Sequence, residues 1–242
     1  MVSIQGLTKR FGDVVAVDRL DLEVTKGEFF CFLGPNGAGK TTTIKMLTGL
    51  LHPTAGRAVL GGFDIQREPV ETKALLGYIP DTPFLYEKLT GREFMRFVAG
   101  LYNMPESAPA TKGEELLGLF GIQDVGDRLI EDYSHGMRQR LSFASCFLHD
   151  PKIVIVDEPW VGLDPKNIRF VKDFLKSRTR DGVTVFMSTH SLAIIEEVAD
   201  RIGIIHKGRL LHTGTLDAIK ALSKNPGSLE DVFLELTEGE AG

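Results

Sequence analysis

Phe29-Phe30-Cys31-Phe32-Leu33-Gly34-Pro35-Asn36-Gly37-Ala38-Gly39-Lys40-Thr41-Thr42 is the stretch on which the fold turns. Five apolar residues run into a glycine, and Gly34 to Thr41 fits G-x-x-x-x-G-K-[ST], the pattern of a phosphate cradle. A helix-like run follows from Thr41 to Leu50. Strand, loop and helix in that order are what the pattern needs to work. The glycines let the backbone fold tightly and aim its N–H groups inward. The helix behind adds the positive end of its dipole. Lys40 can reach β- and γ-phosphates, and the Thr41 hydroxyl can ligate Mg²⁺. The bland alternative is a Gly-rich turn with an exposed lysine, and the fitting flanks argue against it.

Two more continuous apolar runs, Ile153 to Val156 and Thr184 to Met187, match the first. Short runs bounded by turn or charged residues suit strands buried on both faces, as in a parallel sheet. Helical patterns separate them, which predicts an α/β fold with a mostly parallel sheet. Asp164 to Arg180 carries Ile168, Val171, Phe174 and Leu175 at helical spacing; Asp164 can cap that helix and Pro165 fits its first turn. Val2 to Thr8, Ala16 to Val24 and Arg57 to Leu60 read as antiparallel strands, with Gly61-Gly62 as a turn. Arg201 to His206 and Arg209 to Thr213 flank Lys207-Gly208 as a hairpin. Between about Tyr86 and Asp150 the pattern is mostly helical. Thr90 to Glu93 forms a capping box, with Leu89 and Phe94 as its staple. The expected organisation is one domain over 1–242. Within it, 1–85 and 151–242 form the core with its antiparallel part, and 86–150 forms a helical insertion. The tail from Glu235 to Gly242 is polar and expected to fray.

Bulk properties narrow the function. The 242 residues can bury a substantial core without staples. A formal net charge of -5 argues against a general nucleic-acid binder. No run approaches the roughly 18 apolar residues of a membrane span, and the start lacks a signal peptide's basic and apolar regions. Cys31 and Cys146 lie in apolar runs and read as buried small hydrophobes. A reducing, cytoplasmic compartment fits.

Each buried strand ends in a polar group that an apolar strand does not need: the phosphate loop, Asp157-Glu158-Pro159, and Ser188-Thr189-His190. Ligands in open α/β sheets bind at the carboxyl ends of the strands. Asp157 suits a Mg²⁺ partner for the phosphate loop. Glu158 can orient or deprotonate an attacking water, a contribution of about 10²–10⁴ in rate. His190 can hydrogen-bond a γ-phosphate; His52, His149, His206 and His212 read as structural or exposed. Tyr133 to Arg140 precedes an apolar helix that Ser134 would cap, leaving its first N–H groups free for an anion. By spacing alone an ordinary capped helix is the favoured reading there.

Taken together, these motifs resemble the ATP-binding subunit of an ABC transporter over nearly the whole chain. Gly34, Pro35, Asn36, Gly37, Ala38, Gly39, Lys40 and Thr41 match the Walker A motif, with Thr42 following as a further nucleotide contact. Ile153 to Pro159 matches Walker B with its glutamate, Gly162-Leu163-Asp164-Pro165 the D-loop, and His190 the switch histidine. Tyr133 to Met137 stands at the signature L-S-G-G-Q, with Ser134 and Gly136 retained and His135 in place of the first glycine. Phe11 matches the aromatic that stacks on adenine, since stacking needs only a π-face; a core aromatic near a turn is the competing reading. Asp81, in Gly77-Tyr78-Ile79-Pro80-Asp81, stands where the family carries a glutamine that contacts the metal and links to the membrane partner. Asp81 can still reach Mg²⁺, or it can begin a turn with Pro83. The resemblance implies ATP hydrolysis with Mg²⁺ and catalytic roles for Lys40, Glu158 and His190. It also implies a head-to-tail dimer, homomeric by expectation, in which Ser134, His135 and Gly136 act in trans. A separate membrane-spanning permease follows, docked near Asp81 to Tyr102 at the inner face of the cell membrane. The variant signature and the ending Leu229 to Leu234 are similar to ATPases of two-component exporters. The alternatives are a P-loop GTPase or small-molecule kinase, and a non-transport ABC ATPase of translation or DNA repair. No N-K-x-D guanine-reading motif is present, and no long coiled-coil arm, second cassette or basic extension is visible.

Overall fold

The computed structural model describes residues 1–160, 163–222 and 228–238. The strands are β1 (Val2–Phe11), β2 (Val14–Val24), β3 (Phe29–Leu33), β4 (Ala55–Leu60), β5 (Phe63–Asp64), β6 (Leu76–Ile79), β7 (Ile153–Asp157), β8 (Thr184–Thr189), β9 (Arg201–His206) and β10 (Arg209–Gly214). The helices are α1 (Lys40–Leu47), α2 (Pro69–Leu75), α3 (Gly91–Leu101), α4 (Glu114–Leu119), α5 (His135–Cys146), α6 (Pro165–Arg180), α7 (Leu192–Val198), α8 (Leu216–Lys220) and α9 (Leu229–Glu238). Strands β2-β1-β4-β5 form an antiparallel sheet, and β10-β9-β3-β8-β7-β6 a second sheet. The second is parallel from β9 through β6, and β10 joins it as an antiparallel hairpin arm.

Why the three apolar runs tolerate no polar residue is visible in how they divide. Phe29, Cys31 and Leu33 enter one hydrophobic core, with Val154, Val156, Val185 and Met187. Phe30 and Phe32 enter a second core, with Ile153, Ile155 and Phe186. Successive side chains point to opposite faces of a strand, so a sheet covered on both faces needs apolar residues at every position. The first core is filled from α3, α4, α5, α6 and α7. The second is filled from β1, β2, β4 and α1. Phe186 lies 5.4 Å from both Phe30 and Phe32, centroid to centroid, and welds β3 to β8.

Local signals are realised where the chemistry is local. The Thr90 hydroxyl accepts from Glu93 N while Glu93 accepts from Thr90 N, the reciprocal pair that starts α3. Asp164 caps α6 by accepting from Asn167 N at 2.8 Å, and Val171, Phe174 and Leu175 form that helix's buried stripe. Cys31 and Cys146 are buried and free. His149 follows α5; its ring stacks on Tyr102, the C-cap of α3, at 3.7 Å, and Nε2 lies 3.1 Å from the Leu76 carbonyl.

Some elements differ from the sequence reading. Strand β6 and helix α2 carry no clear pattern, because Gly77 and Tyr78 interrupt a run of only four residues. Gly77 is required by packing: a Cβ there would sit 2.5 Å from the Cys146 sulfur. The C-terminal region is helical past Glu235, where the sequence reading expected a frayed tail. Helix α9 runs through Glu238 because Leu229 and Val232 are buried and Leu236 packs on the core; residues 239–242 lie outside the described residues.

Candidate active site

Strand order brings the candidate residues together. Strand β8 lies between β3 and β7, so Leu33 pairs with Thr189 and Asp157 pairs with Ser188 at the carboxyl edge. The phosphate loop leaves from β3, the acidic pair from β7 and His190 from β8. They converge on a cleft of about 350 Å³ whose wall carries Pro35, Asn36, Gly37, Gly39, Lys40, Thr41 and Thr42 together with Asp81, Asp157, Glu158 and His190.

The loop is held from behind. A Cβ on Gly34 would stand 2.5 Å from the Ile205 carbonyl oxygen, so only glycine lets the loop lie against β9. Gly39 sits at φ 108, in the left-handed region, with its α-carbon facing the Ala16 carbonyl. Ala38 N–H donates to the Pro35 carbonyl at 3.2 Å, and Gly208 N–H, in the β9–β10 turn, donates to the Ala38 carbonyl at 2.9 Å. Ala38 is thereby buried under the loop rather than on the cleft wall.

Lys40 opens α1 and is only 6% exposed. Its Nζ donates to the Gly34 carbonyl at 2.7 Å and the Pro35 carbonyl at 3.2 Å, and lies 3.6 Å from Glu158 Oε1. The same Glu158 oxygen lies 2.9 Å from His190 Nδ1. Glu158 has φ 45, a backbone region that costs a non-glycine residue on the order of 1 kcal/mol or more and persists where the surroundings over-determine it. Its N–H donates to the Ser188 carbonyl at 3.2 Å. That turn aims the side chain back across the sheet edge at Lys40 and His190.

Asp157 is 1% exposed. Its Oδ1 accepts from the Ser188 hydroxyl, while Oδ2 has no hydrogen-bond partner. Burial raises its pKa, with the Ser188 and Thr41 hydroxyls offsetting part of the rise and the charges of Asp81 and Glu158 adding to it. A buried carboxylate oxygen without a partner suits a cation ligand. Thr41 and Asp81 stand on the same wall, so the donors are all oxygen, the set that Mg²⁺ takes together with water and phosphate oxygens. Asp81 also accepts from Thr82 N at 2.8 Å, so it both begins a turn and faces the cleft.

Other sequence candidates lie elsewhere. Ser134, His135 and Gly136 are at the start of α5 and do not line this cleft. The Ser134 hydroxyl accepts from Met137 N at 3.3 Å, which takes one of the amides otherwise available to an anion. Phe11 is 51% exposed at the β1–β2 turn, which excludes the core-aromatic reading, and Lys9 Nζ lies 5.1 Å from its ring centre. Phe11 is not on the cleft wall. Asp164 is an exposed cap, and Gly162 of the same motif lies outside the described residues. Three contributors escaped the sequence reading. Ala16 lines the cleft, Ser188 holds Asp157, and the fully buried Gln139 of α5 donates to the Pro159 carbonyl at 3.4 Å. Ser188 had a signal, its place at a strand end; Ala16 and Gln139 had none.

The family model described as ABC transporter matches residues 17–161. The chain belongs to the ABC transporter family. Relatives of this family member include the probable multidrug ABC transporter ATP-binding protein YbhF of Escherichia coli (strain K12), 36% identical over 240 residues. That match covers 98% of the chain but 41% of YbhF, so the chain spans about two fifths of that relative's length. The daunorubicin resistance ATP-binding protein DrrA3 of Streptomyces coeruleorubidus is 37% identical, over 96% of the chain and 73% of that protein. A solved structure described as the ATP-binding subunit of an ABC transporter superposes with a TM-score of 0.91 at 32% identity, covering 98% of this chain and 99% of that one. The fold is that of an ABC ATPase domain, and no helix among the described residues is long and apolar enough to cross a membrane.

Proposed function

We propose that this ABC family member binds and hydrolyses ATP and so powers a separate membrane-spanning subunit, by expectation an exporter, from the inner face of the cell membrane. The observation that carries the reading is the meeting of Lys40, Thr41, Asp157, Glu158 and His190 at one sheet edge. The amides of residues 34–42 and Lys40 bind the phosphates. Phe11 offers its exposed ring to the adenine. Thr41 and Asp157, with Asp81 on the same wall, would hold Mg²⁺, which would supply charge neutralisation to the bound phosphates. Glu158 orients and deprotonates water once Lys40 has turned to phosphate, and His190 holds the γ-phosphate edge. Ser134, His135 and Gly136 complete the site of a second subunit, a homodimer by expectation, and Asp164 lies at that contact. Their distance from the cleft in one chain favours this trans role. Residues 1–85 and 151–242 act as the core and 86–150 as the helical part that meets the permease. No nucleic acid is required. The names of the relatives, multidrug and daunorubicin resistance, favour export over the non-transport reading.

The test is phosphate release by the purified chain with Mg²⁺ and ATP, alone and after purification from gently solubilised membranes. Turnover that Lys40→Ala abolishes, with a co-purifying multi-span protein, is the expected result. Equal turnover by Lys40→Ala would defeat the site assignment. Stable association with ribosomes or DNA and with no membrane protein would favour the translation or repair reading.

A further inference from the structure

Gln139 is a polar side chain in a place that has no use for one. It lies a turn into α5 and is fully buried. The helix is otherwise seated by apolar contacts, with Leu141, Phe143 and Ala144 in the first core. Gln139 Nε2 donates to the Pro159 carbonyl at 3.4 Å, and among the described residues Oε1 has no partner. The carbonyl fixes which way the amide faces, because the reverse orientation would set two acceptor oxygens against each other. A buried amide with one long bond and one unmet acceptor stabilises a fold poorly. An apolar side chain would fill the same space at less cost.

What the bond does hold is the turn after β7. Glu158 sits at φ 45, and a non-glycine residue keeps that conformation only where its surroundings fix it. On one side its own N–H donates to the Ser188 carbonyl at 3.2 Å. On the other stands Pro159, which has no N–H to give, so hydrogen bonding can fasten that residue only through its carbonyl. Gln139 supplies the bond. Strand β8 and helix α5 thus grip the strained residue from either side. One oxygen of the side chain so aimed lies 2.9 Å from His190 Nδ1 and 3.6 Å from Lys40 Nζ.

We infer that Gln139 is a positioning residue for Glu158: its amide, acting through the Pro159 carbonyl, sets where the carboxylate points. The inference rests on the hydrolytic reading above and adds to it a residue of α5 that is not on the cleft wall.

Gln139→Met tests it. Methionine matches the length of glutamine, suits a helix interior and removes the unmet acceptor. Turnover with Mg²⁺ and ATP should fall about tenfold to a hundredfold, the effect of a reacting group roughly an ångström out of place. Affinity for a fluorescent ADP analogue should stay within about twofold, because the change touches turnover and not ground-state binding. In the Glu158→Gln background the same substitution should have no further effect, since it acts through that carboxylate. Trp160, the chain's single tryptophan, follows Pro159, so its emission in the nucleotide-free chain should shift once the turn is released. Gln139→Leu carries the same expectations if the methionine variant does not fold. Natural turnover by the folded variant overturns the inference. So does a loss of ADP affinity as large as the loss of turnover, an equal further loss in the Glu158→Gln background, or unchanged Trp160 emission. If the natural chain itself releases no phosphate, the hydrolytic reading fails and the inference with it; if it does and the variant matches it, only the role of Gln139 fails.

Discussion

Replacing His149 with phenylalanine should flatten the acid side of this protein's stability curve. The His149 ring is sandwiched on Tyr102, its Nε2 meets the Leu76 carbonyl, and its Nδ1 is buried with no partner. Burial holds its pKa down to about 4, against 6.5 for the free side chain; the Leu76 carbonyl works the other way, and Lys112 adds a little to the depression. A folded-state pKa below the unfolded value means that the unfolded chain takes up a proton the folded chain refuses. Stability contributed by the neutral ring is therefore present above pH 6.5 and lost as pH falls toward 4. At pH 5, about 1.5 pH units below the unfolded value, the loss is about 2 kcal/mol. The ring is partly exposed, and screening brings the figure to about 1–1.5 kcal/mol. Phenylalanine keeps the stack and removes the titration. Urea unfolding of both chains at pH 7.5 and pH 5 reads the effect. The natural chain should lose about 1–1.5 kcal/mol more than His149→Phe between the two pH values. The lost bond to Leu76 acts at both pH values and cancels. An acid loss equal in the two chains, or larger in the variant, refutes the reasoning.

Glu158→Gln should retain ATP binding, lower turnover by about 10²–10⁴ and promote an ATP-held dimer; near-normal turnover in a phosphate-release assay would take Glu158 out of its assigned role. Gly34→Ala puts a methyl group 2.5 Å from the Ile205 carbonyl oxygen and should cost about 1–3 kcal/mol of stability along with nucleotide binding. A natural melting temperature for that variant would mean the loop is not seated against β9. Thr90→Ala removes one half of a reciprocal cap and should cost about 1 kcal/mol in urea unfolding with ATP binding unchanged.

What the chain's order of residues settles by itself is whatever depends on near neighbours. The phosphate cradle at Gly34 to Thr41, the Thr90–Glu93 cap, the Asp164 cap and the continuous apolar run of β3 are features within a few positions. Rules of geometry and composition therefore read them directly. The capacity of Lys40, Asp157, Glu158 and His190 for phosphate chemistry is legible for the same reason: each follows an apolar run that has no use for it. Tertiary structure alone decides that β8 lies between β3 and β7, that Ser188 grips a carboxylate 31 residues away, and that Glu158 takes φ 45 to reach Lys40. It also decides that Asp81 joins Asp157 on one wall while Ser134 to Gly136 stand apart. Strand pairing between distant segments is chosen by how two cores can be filled at once. That choice is a property of the packed whole, and no window of residues contains it.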